Sequence, residues 1–259
     1  QEMSRGLGDV YKRQVRKASE NLRDVSIVTP LNLNERLSEK LKCRIFFKRE
    51  DLQKVRSFKI RGAFNKIKSL NLENTQGGKK IICASAGNHA QGVAYSCNKL
   101  KIFGTIYMPE TTPKQKVERV KMFGGDFIEI ILVGDTFDDA QEEAQKQLNN
   151  DSIFIHPFDD KEVIEGQGTV ALEILDQIDK HFDYLVIPIG GGGLIAGIIS
   201  VFKELSPKTK IIGVEAQGAP AMSDSLKQNK IIELKKIDNF VDGVSTVSYT
   251  HLRAHETSP

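Results

Sequence analysis

Short apolar runs rich in β-branched residues alternate with stretches of helical periodicity through most of the chain. Ile45–Lys48, Lys80–Ala84, Thr105–Met108, Phe127–Leu132, Ile153–Ile155, Tyr184–Ile189 and Ile211–Glu215 predict strands. Between them, Phe58–Leu70, Asn88–Leu100, Pro113–Phe123, Thr136–Leu148, Val163–Lys180 and Leu194–Leu205 predict helices. Apolar side chains at Ile60, Ala63, Phe64 and Ile67 lay one core-facing stripe along the first of these. Strand and helix in regular alternation predict an α/β fold with a mainly parallel sheet. No repeat or low-complexity linker breaks the pattern, so composition marks no domain boundary.

The ends differ. Gly6–Gln14 and Val247–Thr257 read like translated adapter sequence joined to a gene fragment, so residues 1–14 and 247–259 are set apart from the fold as non-native-looking tails. His251 and His255 have a spacing that suits a helical metal pair, but they fall in the second tail. The 259 residues, 39% hydrophobic and 27% charged, fit a soluble globular protein of one large or two modest domains. A net charge of +3, evenly spread, offers no nucleic-acid surface. The apolar stretch Leu185–Phe202 is interrupted by Pro188 and by four glycines, so no segment reads as membrane-spanning. Nothing at the start reads as a signal peptide. Cys43, Cys83 and Cys97 lack metal-ligand spacing and suit a reducing cytoplasm, where they would be buried, inert thiols.

Three segments carry chemistry. Gly190, Gly191, Gly192 and Gly193 follow an apolar strand and open a helix at Leu194. Backbone N–H groups without side chains in the way, together with a helix N-terminus, make a phosphate cradle. The cradle does not name its ligand. Gly191-x-Gly193-x-x-Ala196, with Glu215 at the end of the next strand, also fits a dinucleotide fingerprint and an NAD-dependent oxidoreductase. The second segment is Ser57–Ala63, in which Ser57 would cap a helix and put Lys59 in its first turn. There the helix dipole and burial between Phe58 and Ile60 would favour the neutral amine that an aldehyde cofactor requires. Third, Ala84–Gly92 turns a strand end into a helix, where Ser85 and Asn88 could meet a carboxylate or serve only as caps. His89 reads equally well as a core histidine.

Ser-Phe-Lys-Ile-Arg-Gly-Ala, Ser-Ala-Gly-Asn-His-Ala-Gln-Gly and the tetraglycine stand in the order and at the spacings of the fold-type-II pyridoxal-phosphate enzymes. With Thr29-Pro30-Leu31, Met108-Pro109, Gly134–Phe137, Gly166–Thr169 and Phe240–Gly243, the chain from Val15 to Ser245 resembles the biosynthetic threonine dehydratase family and displaces the dehydrogenase reading. The resemblance implies a tryptophan-synthase-β-like architecture: two open α/β domains with mainly parallel sheets and the cofactor between them. Residues 15–60 with 157–246 would form the large, cofactor-binding domain and 61–156 the small one. It implies pyridoxal 5'-phosphate in Schiff-base linkage to Lys59, with Phe58 near the ring and Asn88 on the phenolic oxygen. Gly190, Gly191, Gly192, Gly193 and Leu194 would hold the phosphate. Ser85, Ala86, Gly87, Asn88 and His89 would receive the substrate carboxylate. Lys59, once freed, would take the α-proton of L-threonine or L-serine, and the products would be 2-oxobutanoate or pyruvate and ammonia, the first step of isoleucine biosynthesis. A cytoplasmic homo-oligomer, without nucleic-acid or membrane partners, completes the expectation.

Two positions sharpen it. Related serine racemases, the alternative of the same fold, carry a serine acid–base where Ala86 stands, and a methyl group exchanges no proton. The sulfhydrylase branch usually shows threonine in place of His89. A racemase-like metal site would need oxygens from Glu215 and Ala219 and a carboxylate where Ala221 stands, so no metal is expected. Relatives also continue past Phe240–Gly243. The chain as written is therefore expected to leave apolar faces such as that of Leu194–Leu205 partly uncovered and to be a poor enzyme.

Overall fold

The computed structural model describes residues 13–72, 79–178, 181–234 and 237–244. It opens on a helix, α1, over residues 13–22, whose Val15, Ala18 and Leu22 are buried with Val25 just beyond. Strand β1 (Leu31–Leu33) and β2 (Phe46–Lys48) form an antiparallel pair around helix α2 (Glu35–Leu41). The next helix, α3 (Lys59–Ser69), buries its predicted stripe of Ile60, Ala63, Phe64 and Ile67.

The central sheet holds β3 (Lys80–Ala84), β4 (Gly104–Met108), β5 (Ile128–Leu132) and β6 (Ser152–Phe154) in the order β5-β4-β3-β6, every pair parallel. Helix α4 (Asn88–Leu100) joins β3 to β4, α5 (Lys114–Gly124) joins β4 to β5, and α6 (Phe137–Lys146) joins β5 to β6. A parallel sheet needs cover on both faces. On one face, Ala90, Val93, Ala94 and Cys97 of α4 and Ala63 and Ile67 of α3 pack against Ile81, Cys83, Ile106 and Met108. On the other, Ala140 and Ala144 of α6 pack on Ile82, Ala84 and Tyr107. Cys83 and Cys97 are thus buried thiols, as expected, and burial pushes both up, Cys97 to about 12, whereas Cys43, just beyond α2, is exposed and not the buried thiol expected.

A second, two-stranded parallel sheet pairs β7 (Tyr184–Pro188) with β8 (Lys210–Val214). Helix α7 (Lys161–Asp176) precedes it, α8 (Gly193–Leu205) connects its strands, and α9 (Ala221–Gln228) follows. Helix α8 is mostly covered: Ile195, Ala196, Ile198, Val201 and Phe202 are buried, Leu194 and Ile199 are partly buried, and Leu205 at its end is exposed. Bare apolar surface also lies on the outer side of the sheet, where Tyr184, Val186, Ile212 and Val214 are exposed and the register sets Val186 beside Ile212.

Helices α3, α7 and α8 approach one another through glycines. A Cβ on Gly166 of α7 would lie 2.5 Å from the Arg61 carbonyl oxygen of α3, and one on Gly62 would lie 2.7 Å from that of Val163. One on Gly197 of α8 would lie 2.6 Å from the backbone nitrogen of Gly168. These neighbours are backbone, which cannot move aside as a side-chain tip can. Gly197→Ala is therefore expected to cost about 1–3 kcal/mol, the range for overpacking, read as a lower thermal unfolding midpoint. An unchanged midpoint would contradict the close packing.

Candidate active site

The sequence places the three motifs at the N-termini of α3, α4 and α8. Helices α2, α6 and α7 are capped by the side chains of Asn34, Thr136 and Asp160, whereas α3, α4 and α8, like α5 behind Pro113, have no side-chain cap. Their first N–H groups have no partner within the helix and remain donors for something else. Ser57 is not the cap it was expected to be. Phe58 occupies that position in helical geometry, Lys59 is the first helical residue, and the buried Ser57 hydroxyl has no hydrogen-bond partner.

The Lys59 amine donates to the carbonyl oxygen of Pro157 at 2.8 Å and lies 5.5 Å from the centre of the Phe58 ring. Desolvation lowers it from the ordinary lysine value to about 8. Burial is the cause of that shift, in keeping with the expected enclosure of the amine. The residue as a whole keeps some exposed surface, while its amine is enclosed.

His89 is buried, and its Nε2 lies 2.9 Å from the Ile155 carbonyl oxygen. A carbonyl only accepts, so Nε2 carries the proton and Nδ1 is a bare acceptor, buried and without a partner. Desolvation, followed by the Lys59 charge, pushes the ring down to about 3, so it is neutral. Nearby, the Ser85 hydroxyl accepts from the Gly87 N–H at 3.2 Å, and a Cβ on Gly87 would meet nothing within 4 Å. Asn88 is exposed at the start of α4, and Ala86 packs against the core beneath the central sheet.

In the glycine loop Gly192 adopts the left-handed conformation at φ 85°, which glycine tolerates and most residues do not. A Cβ on Gly191 would fall within the ring of Phe158, and one on Gly193 would lie 2.9 Å from the Phe158 carbonyl oxygen. Residues 155–159 are thus the hub of the site. His89 is tied to Ile155, Lys59 to Pro157, and the glycine loop to Phe158. The sequence reading missed this segment. Its signal was a histidine, a proline and a phenylalanine between a short strand and the aspartate that caps α7.

Helix α3 is fixed beneath Lys59 by a buried ion network. Arg61, fully buried, donates to both carboxylate oxygens of Glu50 at 2.8 Å and to those of Glu173 at 2.6 and 2.9 Å. Lys48 also reaches Glu173, at 2.6 Å. Glu215, considered above as a ribose or metal ligand, instead accepts the backbone N–H groups of Met222 and Ser223 at 2.8 and 2.7 Å and so caps α9. The tail pair His251 and His255 lies outside the described residues. Among the described residues, no helix is long and apolar enough to cross a membrane.

The family model for pyridoxal-phosphate dependent enzymes matches residues 22–256. The chain belongs to that family. The chain is 53% identical, over 240 residues, to a protein of Halalkalibacterium halodurans named biosynthetic L-threonine dehydratase; the match covers 92% of this chain and 57% of that protein. It therefore spans a little over half the length of the curated relatives it matches. The processed form of threonine deaminase isoform 2 from Solanum lycopersicum superposes with a TM-score of 0.88 at 42% identity, covering 95% of this chain and 70% of that one. Maize serine racemase superposes at 0.82 with 33% identity, covering 90% of this chain and 70% of that one. As expected, the architecture is that of the fold-type-II enzymes.

The residues fit the family's cofactor. A desolvated lysine amine suits an aldehyde, and the glycine loop exposes backbone donors at the uncapped α8 terminus. The bare His89 Nδ1 and the Ser57 hydroxyl are buried polar atoms still lacking partners.

Proposed function

We propose that the intact protein converts L-threonine to 2-oxobutanoate and ammonia, and L-serine to pyruvate, with pyridoxal phosphate carried by Lys59. The observation that carries this reading is the Lys59 amine, lowered to about 8 and aimed at a backbone carbonyl rather than a carboxylate. An amine with no buried counter-ion sheds its proton well below the ordinary lysine range and is the more readily available as nucleophile and base. The likeness to named threonine dehydratases supplies the substrate.

The bound cofactor supplies an electron sink for the charge left when the α-proton departs. In this reading Gly190 to Gly193 and Leu194 hold the phosphate through backbone N–H groups. Phe58 flanks the ring and Asn88 contacts it. Ser85, Gly87 and the α4 terminus receive the substrate carboxylate, which the open space beside Gly87 supports. Lys59 takes the α-proton and the β-hydroxyl leaves as water. Water then returns on hydrolysis, so the net change is loss of ammonia from threonine.

Racemisation would need a proton donor on the face opposite Lys59. Ala86 offers only a methyl group packed on the core, which supports elimination over the serine racemase alternative. The test is incubation of the intact gene product with L-threonine and L-serine. Release of 2-oxo acids, faster from threonine, is the expected result. Predominant D-serine would overturn the assignment, and reduction of NAD would return the dinucleotide reading of the glycine loop.

A further inference from the structure

We propose that His156 is a positioning residue for the Lys59 amine, holding its carbonyl acceptor through a single peptide plane. The proposal rests on reading Lys59 as the cofactor-bearing lysine.

The peptide unit between Pro157 and Phe158 has two ends. Its carbonyl oxygen accepts the Lys59 amine at 2.8 Å. Its N–H donates to His156 Nδ1 at 3.3 Å, and the next N–H, that of Asp159, donates to the same nitrogen at 2.7 Å. Because a peptide unit is planar, an acceptor that fixes the N–H also fixes the direction of the C=O. Proline has no N–H of its own by which the preceding unit could be held. On the other side, Ile155 is tied by its N–H to Ile82 at 2.8 Å and by its carbonyl to His89 at 2.9 Å. His156 therefore completes a turn pinned at both ends, with the acceptor of Lys59 at its middle.

The ring is itself held. It meets Phe154 edge-on, with centroids 6.2 Å apart, and Phe158 at 4.7 Å and 87°. Phe158 is also the ring that lies over Gly191. One side chain thus sets both the direction of the Pro157 carbonyl and the seat of Phe158 against the glycine loop. To accept two N–H groups, Nδ1 must be unprotonated, so the ring carries its proton on Nε2.

Asparagine separates the acceptor from the ring. Its Oδ1 stands the same number of bonds from the backbone as Nδ1, and it is the usual acceptor in turns of this kind. In the intact gene product, His156→Leu is expected to weaken pyridoxal-phosphate binding about tenfold, the size of a lost capping acceptor. It should also raise the rate at which trinitrobenzenesulfonate labels Lys59 in the cofactor-free protein. His156→Asn should restore both readouts toward wild type. A residue that served only to fill space would show the reverse order, because leucine fills more of the site than asparagine. If the leucine variant does not fold, His156→Gln, whose oxygen sits one bond further out, takes its place with the same expectation.

Equal binding by wild type and His156→Leu, or equal losses in the leucine and asparagine variants, would overturn the proposal. Borohydride reduction and peptide mapping of the loaded wild type separate this failure from the larger one. Label on another lysine removes the Lys59 reading itself, while label on Lys59 with no split between the variants removes only the role of His156.

Discussion

Lys59→Ala is expected to lower turnover of L-threonine by the intact protein at least about 10³-fold, since proton transfer by one positioned group is worth roughly 10²–10⁴. The loss has two parts in the proposed mechanism, because Lys59 both carries the cofactor and takes the α-proton. Borohydride should then fix no pyridoxyl group to the variant, even with cofactor in excess. Lys59→Arg is expected to fare little better, because a guanidinium does not give up its proton. The pH dependence has a defined direction. Desolvation lowers the amine to about 8, so labelling of Lys59 in the cofactor-free protein should rise through a midpoint near that value, below the ordinary lysine range. A midpoint in the ordinary range would mean that the amine is solvated. A variant retaining a tenth of wild-type turnover would exclude Lys59 as the base.

The pattern of the chain made much of this legible. Asn88–Leu100 is a helix with the predicted bounds, and the stripe at Ile60, Ala63, Phe64 and Ile67 is buried as its spacing required. Strand Lys80–Ala84 also keeps its bounds. Long, strongly periodic elements declare themselves because burial of one face imposes the period. Short ones do so unevenly. Strand β2 lies within the predicted Ile45–Lys48 and β6 overlaps Ile153–Ile155, whereas β1, of three residues, and helix α9, of eight residues behind a proline, are not marked by the pattern. Helix α1 was within reach, since Val15, Ala18, Leu22 and Val25 recur at helical intervals, and Arg13 and Gln14, grouped above with the tail, lie in it. The motif glycines were legible as a cradle, but Gly166 and Gly168 acquire a reason only when α3 and α8 are seen to pass within backbone contact. The 155–159 hub was opaque for a different cause. Its function lies in where carbonyls point, and carbonyl direction leaves no mark on residue type except through His156 and Pro157.

The ion network under α3 should produce the largest loss of stability. Arg61 and Lys48 balance Glu50 and Glu173 in a buried cluster, so Arg61→Met removes one positive charge and leaves Glu50 without its partner. Breaking a buried pair in this way costs about 3–5 kcal/mol, against a typical domain stability of roughly 5–15 kcal/mol. Desolvation works to raise Glu50, but the bonds and charge of Arg61 outweigh it and hold the carboxyl below the usual range. In the wild type the contribution of Glu50 is therefore present above its unfolded value and is lost as pH falls through the lowered folded one. In Arg61→Met the sign reverses, because burial without Arg61 raises Glu50 and the folded state gains by taking up a proton. The deficit of the variant, measured by chemical denaturation, should accordingly shrink between pH 7 and pH 5. Arg61→Met with Glu50→Gln should recover part of the loss, since charge balance returns through Lys48 and Glu173, giving a coupling within about 0.5–3 kcal/mol. Arg61→Lys should not match this recovery, because one ammonium cannot span two carboxylates that Arg61 holds by opposite edges of its fork. A deficit that stays constant with pH would mean that the network stabilises α3 by packing alone. The same measurement bears on chemistry. Arg61 follows Lys59 by two residues in α3, so any variant that loosens it should also weaken cofactor binding at pH 7.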